Sequence, residues 1–163
     1  RLDGELLYQI ISQRPDYSFV FTGPEDDGFR QHRIHSLKNA YFTGQKKVDE
    51  LPAYITAYDV CINPQMVNDI TDGNYPLKID EYLAMGKPTV ATSTHTMRHI
   101  FADHTHLATN PEEWLSAIDR AVTEADDKEL AKQRIAFAET HSWGHSVKKI
   151  YGIIDNFLKE KAT

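Results

Sequence analysis

The sequence has 163 residues and a formal net charge of −6, from 18 Lys and Arg against 24 Asp and Glu. A chain of this length fits one domain, and its acidic balance argues against a protein that wraps nucleic acid, because phosphate contacts favour a basic surface. A hydrophobic share of 40%, one cysteine, no membrane-length apolar run and no signal peptide after Arg1 predict a globular, cytoplasmic domain over residues 1–163.

Short apolar runs alternate with longer stretches of helical periodicity along the chain. The first stretch, residues 2–13, spaces its leucines and isoleucines along one helix face. The predicted strands are residues 17–22, 39–44, 59–64, 88–92 and, more weakly, 106–109. The later predicted helices are residues 47–58, 76–85, one turn at 97–101, 111–124, 127–139 and 143–161. Residues 25–33 and 65–75 are predicted loops, and Asn110 is a predicted N-cap with Pro111 and Glu113 behind it.

This alternation of strands and helices is typical of βαβ units around a parallel sheet. We therefore predict an α/β fold, a Rossmann-like parallel sheet flanked by helices. Such folds normally open with a central strand, whereas this chain opens with a helix. We expect the first strand to lie upstream of Arg1.

The start of the helix at residues 76–85 has the composition of an anion site. Pro76 is expected as its first residue, which leaves the N–H groups of Leu77 and Lys78 unpaired at the positive end of the helix. Lys78 adds a full positive charge at a position where lysine is otherwise unfavourable. Glu81 lies one turn further on the same face, where a carboxylate could accept hydrogen bonds from a vicinal diol such as ribose. The pattern predicts that a nucleoside diphosphate binds here. The alternative is that Lys78 and Glu81 only form an ion pair with each other on the surface.

Three stretches of the chain resemble the group 1 retaining glycosyltransferases of the GT-B fold. The most specific is residues 74–92, NYPLKIDEYLAMGKPTVAT, which is similar to the donor-binding helix and following strand of that family. Residues 47–60 resemble an upstream helix of the family and the strand that follows it. Residues 14–24 resemble an earlier strand of the family. The similarity spans about residues 1–122.

The resemblance implies that this chain is the C-terminal, nucleotide-sugar-binding half of a two-domain enzyme that needs no metal ion or other cofactor. The other half would be an N-terminal acceptor domain, and the acceptor a glycan or a lipid-linked glycan. Lys78 would meet the diphosphate and stabilise the leaving phosphate, while Glu81 would bind the ribose hydroxyls. The other implied donor-site residues are Asn74, Tyr75, Pro76 and Leu77, with Gly44, Gln45, Lys46 and Val48 bordering the base.

One position departs from the family pattern. Many members carry a second glutamate eight residues before the ribose-binding one, in contact with the donor sugar. Here that position is Gly73, with Asp72 beside it. A contact between Asp72 and the sugar is an open hypothesis, and the sugar itself is not identified.

Two other interpretations use the same architecture. A nucleotide-sugar epimerase would carry an acidic stretch before the corresponding helix, which Asp72-Gly73-Asn74 does not supply. A receiver-like signalling domain would need a lysine after its last central strand, where this chain has Thr92-Ser93-Thr94.

The eight histidines include two pairs at i,i+4 spacing, His95 with His99 and His141 with His145. Each pair could share a helix face, but solvated histidines are the favoured interpretation over a metal site. Cys61 is expected to be a small buried hydrophobe rather than a nucleophile.

The last predicted helix, residues 143–161, is amphipathic and carries lysines around its apolar face. Packing on its own domain or on the absent N-terminal domain is favoured over binding at a membrane surface, which would place the protein at the inner membrane face.

Overall fold

The computed structural model describes residues 2–161, so Arg1, where the family resemblance begins, lies outside it. Helices and strands alternate along this range. The helices are α1 (Gly4–Gln13), α2 (Asp27–Arg30), α3 (Leu51–Ala57), α4 (Leu77–Ala84), α5 (Pro111–Thr123), α6 (Lys128–Glu139) and α7 (Trp143–Lys161). The strands are β1 (Phe19–Thr22), β2 (Ala40–Gly44), β3 (Cys61–Asn63), β4 (Thr89–Thr92) and β5 (His106–Ala108). None of the helices within residues 2–161 combines the length and apolarity that crossing a bilayer requires.

Local side-chain chemistry explains where most of these elements begin. The Asp3 carboxylate accepts from the Leu6 N–H at 3.0 Å and starts α1. Asn110 caps α5 by accepting from the Glu113 N–H at 2.9 Å, as predicted. The Asp127 carboxylate accepts from the first N–H groups of α6.

Three of the differences from the sequence predictions have a local backbone or side-chain cause. The predicted loop 25–33 contains α2, because the Asp26 carboxylate caps it through the Phe29 N–H. α3 begins at Leu51 rather than at residue 47, since the Glu50 carboxylate accepts from the Lys47 N–H and holds that segment in a turn. Pro76 precedes α4 as its N-cap instead of forming its first residue, because its ψ of 84° is not helical.

All strand pairing is parallel, as predicted, but within residues 2–161 the strands form two separate ladders. One sheet pairs β1 with β2, and the other has the order β3-β4-β5. No ladder joins β1 to β3 in the described part of the chain. The expected single sheet is therefore divided between these two strands.

The strands of both sheets nevertheless run in the same direction. The contacts of α1 show this, because its start lies at the carboxyl end of β3 and its end lies at the amino end of β2. At the start of α1, the Asp3 N–H donates to the Pro64 carbonyl oxygen just beyond β3, at 2.9 Å. At its end, the Asn39 side-chain amide, just before β2, donates to the Ile11 and Arg14 carbonyls at 3.1 and 2.9 Å. The carboxyl ends of all five described strands consequently lie at the same edge of the domain.

Helices cover both faces of the strands. Alternate residues of β4 contribute to two cores, Val90 to the core beneath α1 and α5, and Ala91 to the core beneath α4 and α6. Trp114 of α5 is fully buried in the first core, and Phe101 is fully buried in the second. Cys61 of β3 is buried as expected, and this burial raises the pKa of its thiol to about 12.

A polar cluster joins the end of α1 to α5 at the amino edge of the sheets. The Arg14 guanidinium donates to both carboxylate oxygens of Asp119, and the Tyr17 hydroxyl donates to one of them at 3.1 Å. The hydrogen bond from Arg14 lowers the pKa of Asp119. The carboxylate form of Asp119 therefore stabilises the folded state.

We expect Asp119→Asn to lower the unfolding midpoint at pH 7 and to have a smaller effect in acid. A lowered folded-state pKa contributes stability above the unfolded pKa of about 3.9, and this contribution is lost as the pH falls through the folded pKa. The Arg14 and Asp119 side chains are 25% and 42% exposed, so screening limits the expected change at pH 7 to about 1–3 °C. Thermal unfolding at pH 7 and pH 3 measures it, with exposed Asp126→Asn as the control. An equal decrease of the unfolding midpoint at both pH values would show that the charge of Asp119 does not stabilise the folded state.

Candidate functional site

The predicted site residues lie on two loops at the carboxyl edge of the strands. In open α/β sheets, ligands bind at this edge, where the strand order reverses. The chain moves outward from β1 to β2 and then returns to β3, so the reversal falls between β1 and β3. The loop after β2 lies on one side of this position, and the loop from β3 to α4 lies on the other.

The N-terminus of α4 presents unpaired backbone donors. The Ile79 N–H already donates to the Pro76 carbonyl at 2.8 Å. Within residues 2–161, the N–H groups of Leu77 and Lys78 have no protein acceptor, and the Leu77 side chain is 65% exposed. These two donors at the positive end of an eight-residue helix can bind an anion.

Lys78 and Glu81 are both exposed on the first turns of α4. Neither side chain forms an ion pair or a hydrogen bond with another residue of the described range. The surface pair between them, which the sequence left as the alternative, is therefore absent from the structure. One ammonium and one carboxylate remain available on the same helix, three residues apart.

The loop that precedes α4 is held by its own buried polar groups. The Thr71 hydroxyl is buried and donates to the Met66 carbonyl at 2.5 Å. The Asn68 side-chain oxygen accepts from the N–H groups of Ile70 and Thr71, each at 3.0 Å. These bonds fix the path of the chain from β3 to α4, so the helix start has a defined position.

The hydroxyl group of Tyr75 is bonded to a protein side chain. The hydroxyl donates to the Asp80 carboxylate at 2.6 Å, and the other Asp80 oxygen lies 3.0 Å from Nδ1 of His141. Burial, reinforced by Asp80, raises the pKa of the Tyr75 hydroxyl. The Tyr75 ring packs on Phe101. A ligand would therefore contact the ring of Tyr75 and not its hydroxyl.

The Tyr75–Asp80–His141 chain of hydrogen bonds was not predicted from the sequence. It connects the loop before α4 to the turn between α6 and α7, and its members lie up to 66 residues apart. His141 also precedes α7, so the predicted shared helix face with His145 is wrong. Only the spacing of Tyr75 and Asp80 across the helix start could have indicated part of this network.

Asp72 connects the site loop to the segment after β4. Its carboxylate accepts from the His95 N–H at 2.7 Å, and its carbonyl oxygen accepts from the Thr96 N–H at 3.4 Å. Gly73, at the family's sugar-contacting position, is exposed. The His95 ring stacks on that of His99 with centroids 4.0 Å apart.

The loop after β2 forms the second part of the candidate site. Gly44 adopts a φ of +71°, a left-handed conformation that glycine reaches without strain, and the chain turns there. Its carbonyl accepts from the Gly23 N–H at 3.0 Å, which ties the ends of β1 and β2 together. The Lys46 ammonium lies 5.3 Å from the centre of the Tyr54 ring, and the Val48 side chain is 83% exposed. Gln45, between Gly44 and Lys46, is exposed.

The structure places these two loops at the same edge of the strands. Among the described residues, no hydrogen bond or ion pair links residues 44–48 to residues 74–81. Two surface cavities, of about 550 and 260 Å³, lie elsewhere, beside Arg14 and Asp119 and between Ala102 and α6. No group of three or more potential metal ligands occurs within residues 2–161.

Comparison with known proteins adds independent observations. Residues 5–124 match the family model described as glycosyl transferases group 1. The chain is 27% identical over 157 residues to the putative teichuronic acid biosynthesis glycosyltransferase TuaH of Bacillus subtilis (strain 168), covering 92% of this chain and 39% of that protein. The crystal structure of AviGT4, a glycosyltransferase involved in avilamycin A biosynthesis, matches with a TM-score of 0.57 and 14% identity. That match covers 86% of this chain and 46% of AviGT4 and concerns the fold alone. The chain thus spans less than half the length of either protein.

Proposed function

Because this chain belongs to the group 1 glycosyl transferases, we propose that it is the donor-binding part of a glycosyltransferase and holds a nucleoside-diphosphate sugar at the N-terminus of α4. The observation that carries this proposal is that, among the described residues, the N–H groups of Leu77 and Lys78 and the Lys78 ammonium have no protein partner. The family match also favours this interpretation over the epimerase and receiver-like alternatives.

The diphosphate binds at the start of α4 in this proposal. The Leu77 and Lys78 N–H groups donate to phosphate oxygens, and the Lys78 ammonium neutralises part of their charge. When the bond between the sugar carbon and the phosphate oxygen breaks, its electron pair remains on the phosphate. Donors already in place stabilise this charge as it develops, so Lys78 acts on the leaving group.

The acceptor hydroxyl oxygen forms the new bond to the sugar carbon, and its proton passes to the departing phosphate. We propose that the new bond forms on the face from which the phosphate departs, as in the retaining enzymes of the family. No metal ion is required in this scheme, because the helix N-terminus and Lys78 supply the positive potential that a metal would otherwise provide.

The nucleoside extends from α4 toward the loop after β2. Glu81 accepts hydrogen bonds from the ribose hydroxyls, since its carboxylate is exposed and no residue of the described range donates to it. The base lies against residues 44–48, where Lys46 and Val48 offer a charged and an apolar surface. Asn74 and the Tyr75 ring border the diphosphate on the side of the loop before α4.

The test of this proposal is nucleotide binding without metal. UDP, GDP and ADP are each added in EDTA, and one of them is expected to raise the unfolding temperature. A ligand at about 100 times its dissociation constant adds about 2.7 kcal/mol, which corresponds to about 5–10 °C for a chain of this size. Acetyl phosphate with magnesium is the comparison that a receiver-like domain would favour. If no nucleoside diphosphate shifts the midpoint while acetyl phosphate does, the proposal is wrong.

We further propose that α7 binds the N-terminal acceptor domain, in an enzyme that acts on a glycan or lipid-linked acceptor of an envelope polysaccharide. Within residues 2–161 this helix contributes to neither core, and its large apolar side chains are exposed, from 45% at Ile154 to 84% at Trp143. These residues form one stripe along the helix: Trp143, Val147, Ile150, Ile154, Phe157 and Leu158. A stripe of this size is expected to be covered by a partner surface.

We expect Ile154→Glu to abolish the association of this domain with a separately produced acceptor domain. In the full-length enzyme the same change should reduce transfer at least 10-fold. The same change should leave the unfolding temperature of this 163-residue chain almost unchanged, because the side chain is already 45% exposed. Asn156→Glu, on the opposite face of α7, is the matched control. Size-exclusion chromatography of separately produced domains measures association, and vesicles with anionic lipid test the membrane alternative. Binding to vesicles with no binding to the acceptor domain would contradict this assignment.

A further inference from the structure

The start of α4 differs from the starts of four other helices in how the chain is held there. At α1, α2, α5 and α6, the side chain before the helix accepts from one or two of the first N–H groups of that helix. Pro76 precedes α4 and has no such side chain, and no other described side chain accepts from the N–H groups of Leu77 and Lys78. The direction in which the chain enters α4 therefore depends on another interaction.

That interaction is the hydrogen bond from the Tyr75 hydroxyl to Asp80. Tyr75 directly precedes the N-cap residue Pro76, and Asp80 is the fourth residue of α4. At many helix starts, apolar side chains at these same two positions contact each other and fix the angle at which the chain enters the helix. Here a hydrogen bond of 2.6 Å joins the two positions instead. It holds the helix start and leaves the N–H groups of Leu77 and Lys78 free for an anion.

The other Asp80 oxygen is bonded to His141, which orients the carboxylate. Nδ1 of His141 lies 3.0 Å from this oxygen and donates to it, because an ionised carboxylate can only accept. The Asp80 and His141 side chains are 19% and 24% exposed. The His141 ring packs edge-on against Phe137, with centroids 4.5 Å apart, and against fully buried Phe101 at 5.8 Å. This packing fixes His141, and through it Asp80, to the core beneath α4 and α6.

We propose that Asp80 is a positioning residue for the donor diphosphate. Through Tyr75 it sets the direction in which the chain enters α4, and so aims the N–H groups of Leu77 and Lys78 at the phosphate oxygens. His141 acts one step further away, because it orients Asp80 from the turn that leads into α7. This role rests on the proposed function, since it requires that the diphosphate binds at the start of α4.

Pyrophosphate binding to the 163-residue chain tests this role, followed through the backbone amide NMR signals of Leu77 and Lys78. Tyr75→Phe removes the hydroxyl and keeps the ring. We expect it to weaken pyrophosphate binding about 5- to 10-fold, because one hydrogen bond that holds the two N–H groups in place is lost. Tyr41→Phe, at a tyrosine that is 49% exposed against 41% for Tyr75, is the matched control and should leave binding unchanged.

Two variants of Asp80 separate its hydrogen bond from its charge. Asp80→Asn and Asp80→Leu both remove the charge and have nearly the same shape, but only Asn offers an oxygen that accepts from the Tyr75 hydroxyl. Asp80→Leu should therefore bind pyrophosphate about 5- to 10-fold more weakly than Asp80→Asn, and adding Tyr75→Phe to Asp80→Leu should cause no further loss. Equal binding by the two Asp80 variants would show that Asp80 acts only through its charge and would overturn the proposal.

The contribution of His141 is tested in the same way. His141→Phe keeps an aromatic ring in contact with Phe101 and Phe137 and removes Nδ1. It should weaken pyrophosphate binding about 2- to 3-fold in the otherwise unchanged chain and not at all in Asp80→Leu, because His141 acts through Asp80. A loss of the same size in both backgrounds would show that His141 acts independently and would overturn its role in orienting Asp80.

The titration of the unchanged chain separates this role from the proposed function. If pyrophosphate leaves the Leu77 and Lys78 signals unmoved, the diphosphate does not bind at α4 and both proposals are wrong. If it moves them and Tyr75→Phe binds within about 2-fold of the unchanged chain, the diphosphate binds there but Asp80 does not position it. Tyr75→Phe removes a single oxygen atom from a partly exposed side chain, so this comparison remains decisive even if Asp80→Leu does not fold.

Discussion

Lys78→Ala is expected to reduce transfer by the full-length enzyme about 100- to 1000-fold. Removing one donor positioned at developing negative charge costs this much in characterised enzymes. Lys78 is the single side-chain cation on the first turn of α4, and no described residue neutralises it. The loss should therefore fall mainly on kcat, with a smaller effect on the KM of the donor.

The control for this variant is Lys128→Ala. Lys128 is the first residue of α6, so it is also an exposed lysine at a helix N-terminus, but it lies outside the proposed site. Its replacement should leave transfer unchanged. In the 163-residue chain, Lys78→Ala should also abolish most of the thermal shift produced by the bound nucleotide without lowering the unfolding temperature of the free protein. Transfer that stays within 3-fold of the wild type in Lys78→Ala would remove Lys78 from the mechanism.

Glu81→Gln is expected to weaken nucleoside-diphosphate binding about 10- to 100-fold. Hydrogen bonds to a charged group contribute about 1.5–3 kcal/mol each, and the amide keeps the shape of the carboxylate while losing its charge. The expected loss requires a ribose. Inorganic pyrophosphate, which has none, should bind the wild type and the variant equally.

Comparing the two ligands separates the roles of the two residues. Lys78→Ala should weaken both the nucleotide and pyrophosphate, whereas Glu81→Gln should weaken the nucleotide alone. Titration calorimetry with both ligands measures this, and Glu139→Gln, an exposed glutamate at the end of α6, is the control. An equal effect of Glu81→Gln on both ligands would show that the carboxylate acts through the local charge and does not bind ribose.

The sequence predicted most elements and the start of the candidate site because the determining interactions are local. The cap at Asn110 involves a residue three positions away, so its pattern is visible in the sequence. The same holds for the unpaired donors after Pro76, which follow from the geometry of any helix N-terminus. The errors at α2, α3 and α4 were also local and small. The short helix α2 was missed, α3 begins four residues later than predicted, and α4 begins one residue later.

The connections around the site could not be predicted in this way. Asp80 was expected only as a helix residue, yet it holds Tyr75 and His141 through two hydrogen bonds. Asp72 was considered for a sugar contact, and the structure shows one of its oxygens bound to the His95 N–H. Partners 23 and 61 residues away are chosen by how the helices pack, and spacing along the chain carries no information about that choice.

The sequence by itself determined the alternation of strands and helices, the parallel α/β class and the composition of the α4 N-terminus, since all three depend on periodicity and on neighbours within one turn. Only the tertiary structure decided that, within residues 2–161, the strands form two ladders, Lys78 and Glu81 have no partner, and α7 leaves its apolar stripe exposed. These features depend on which surfaces meet in three dimensions. Burial and hydrogen bonding between distant segments set them, and the amphipathic pattern of a helix is the same whether or not its partner surface is present.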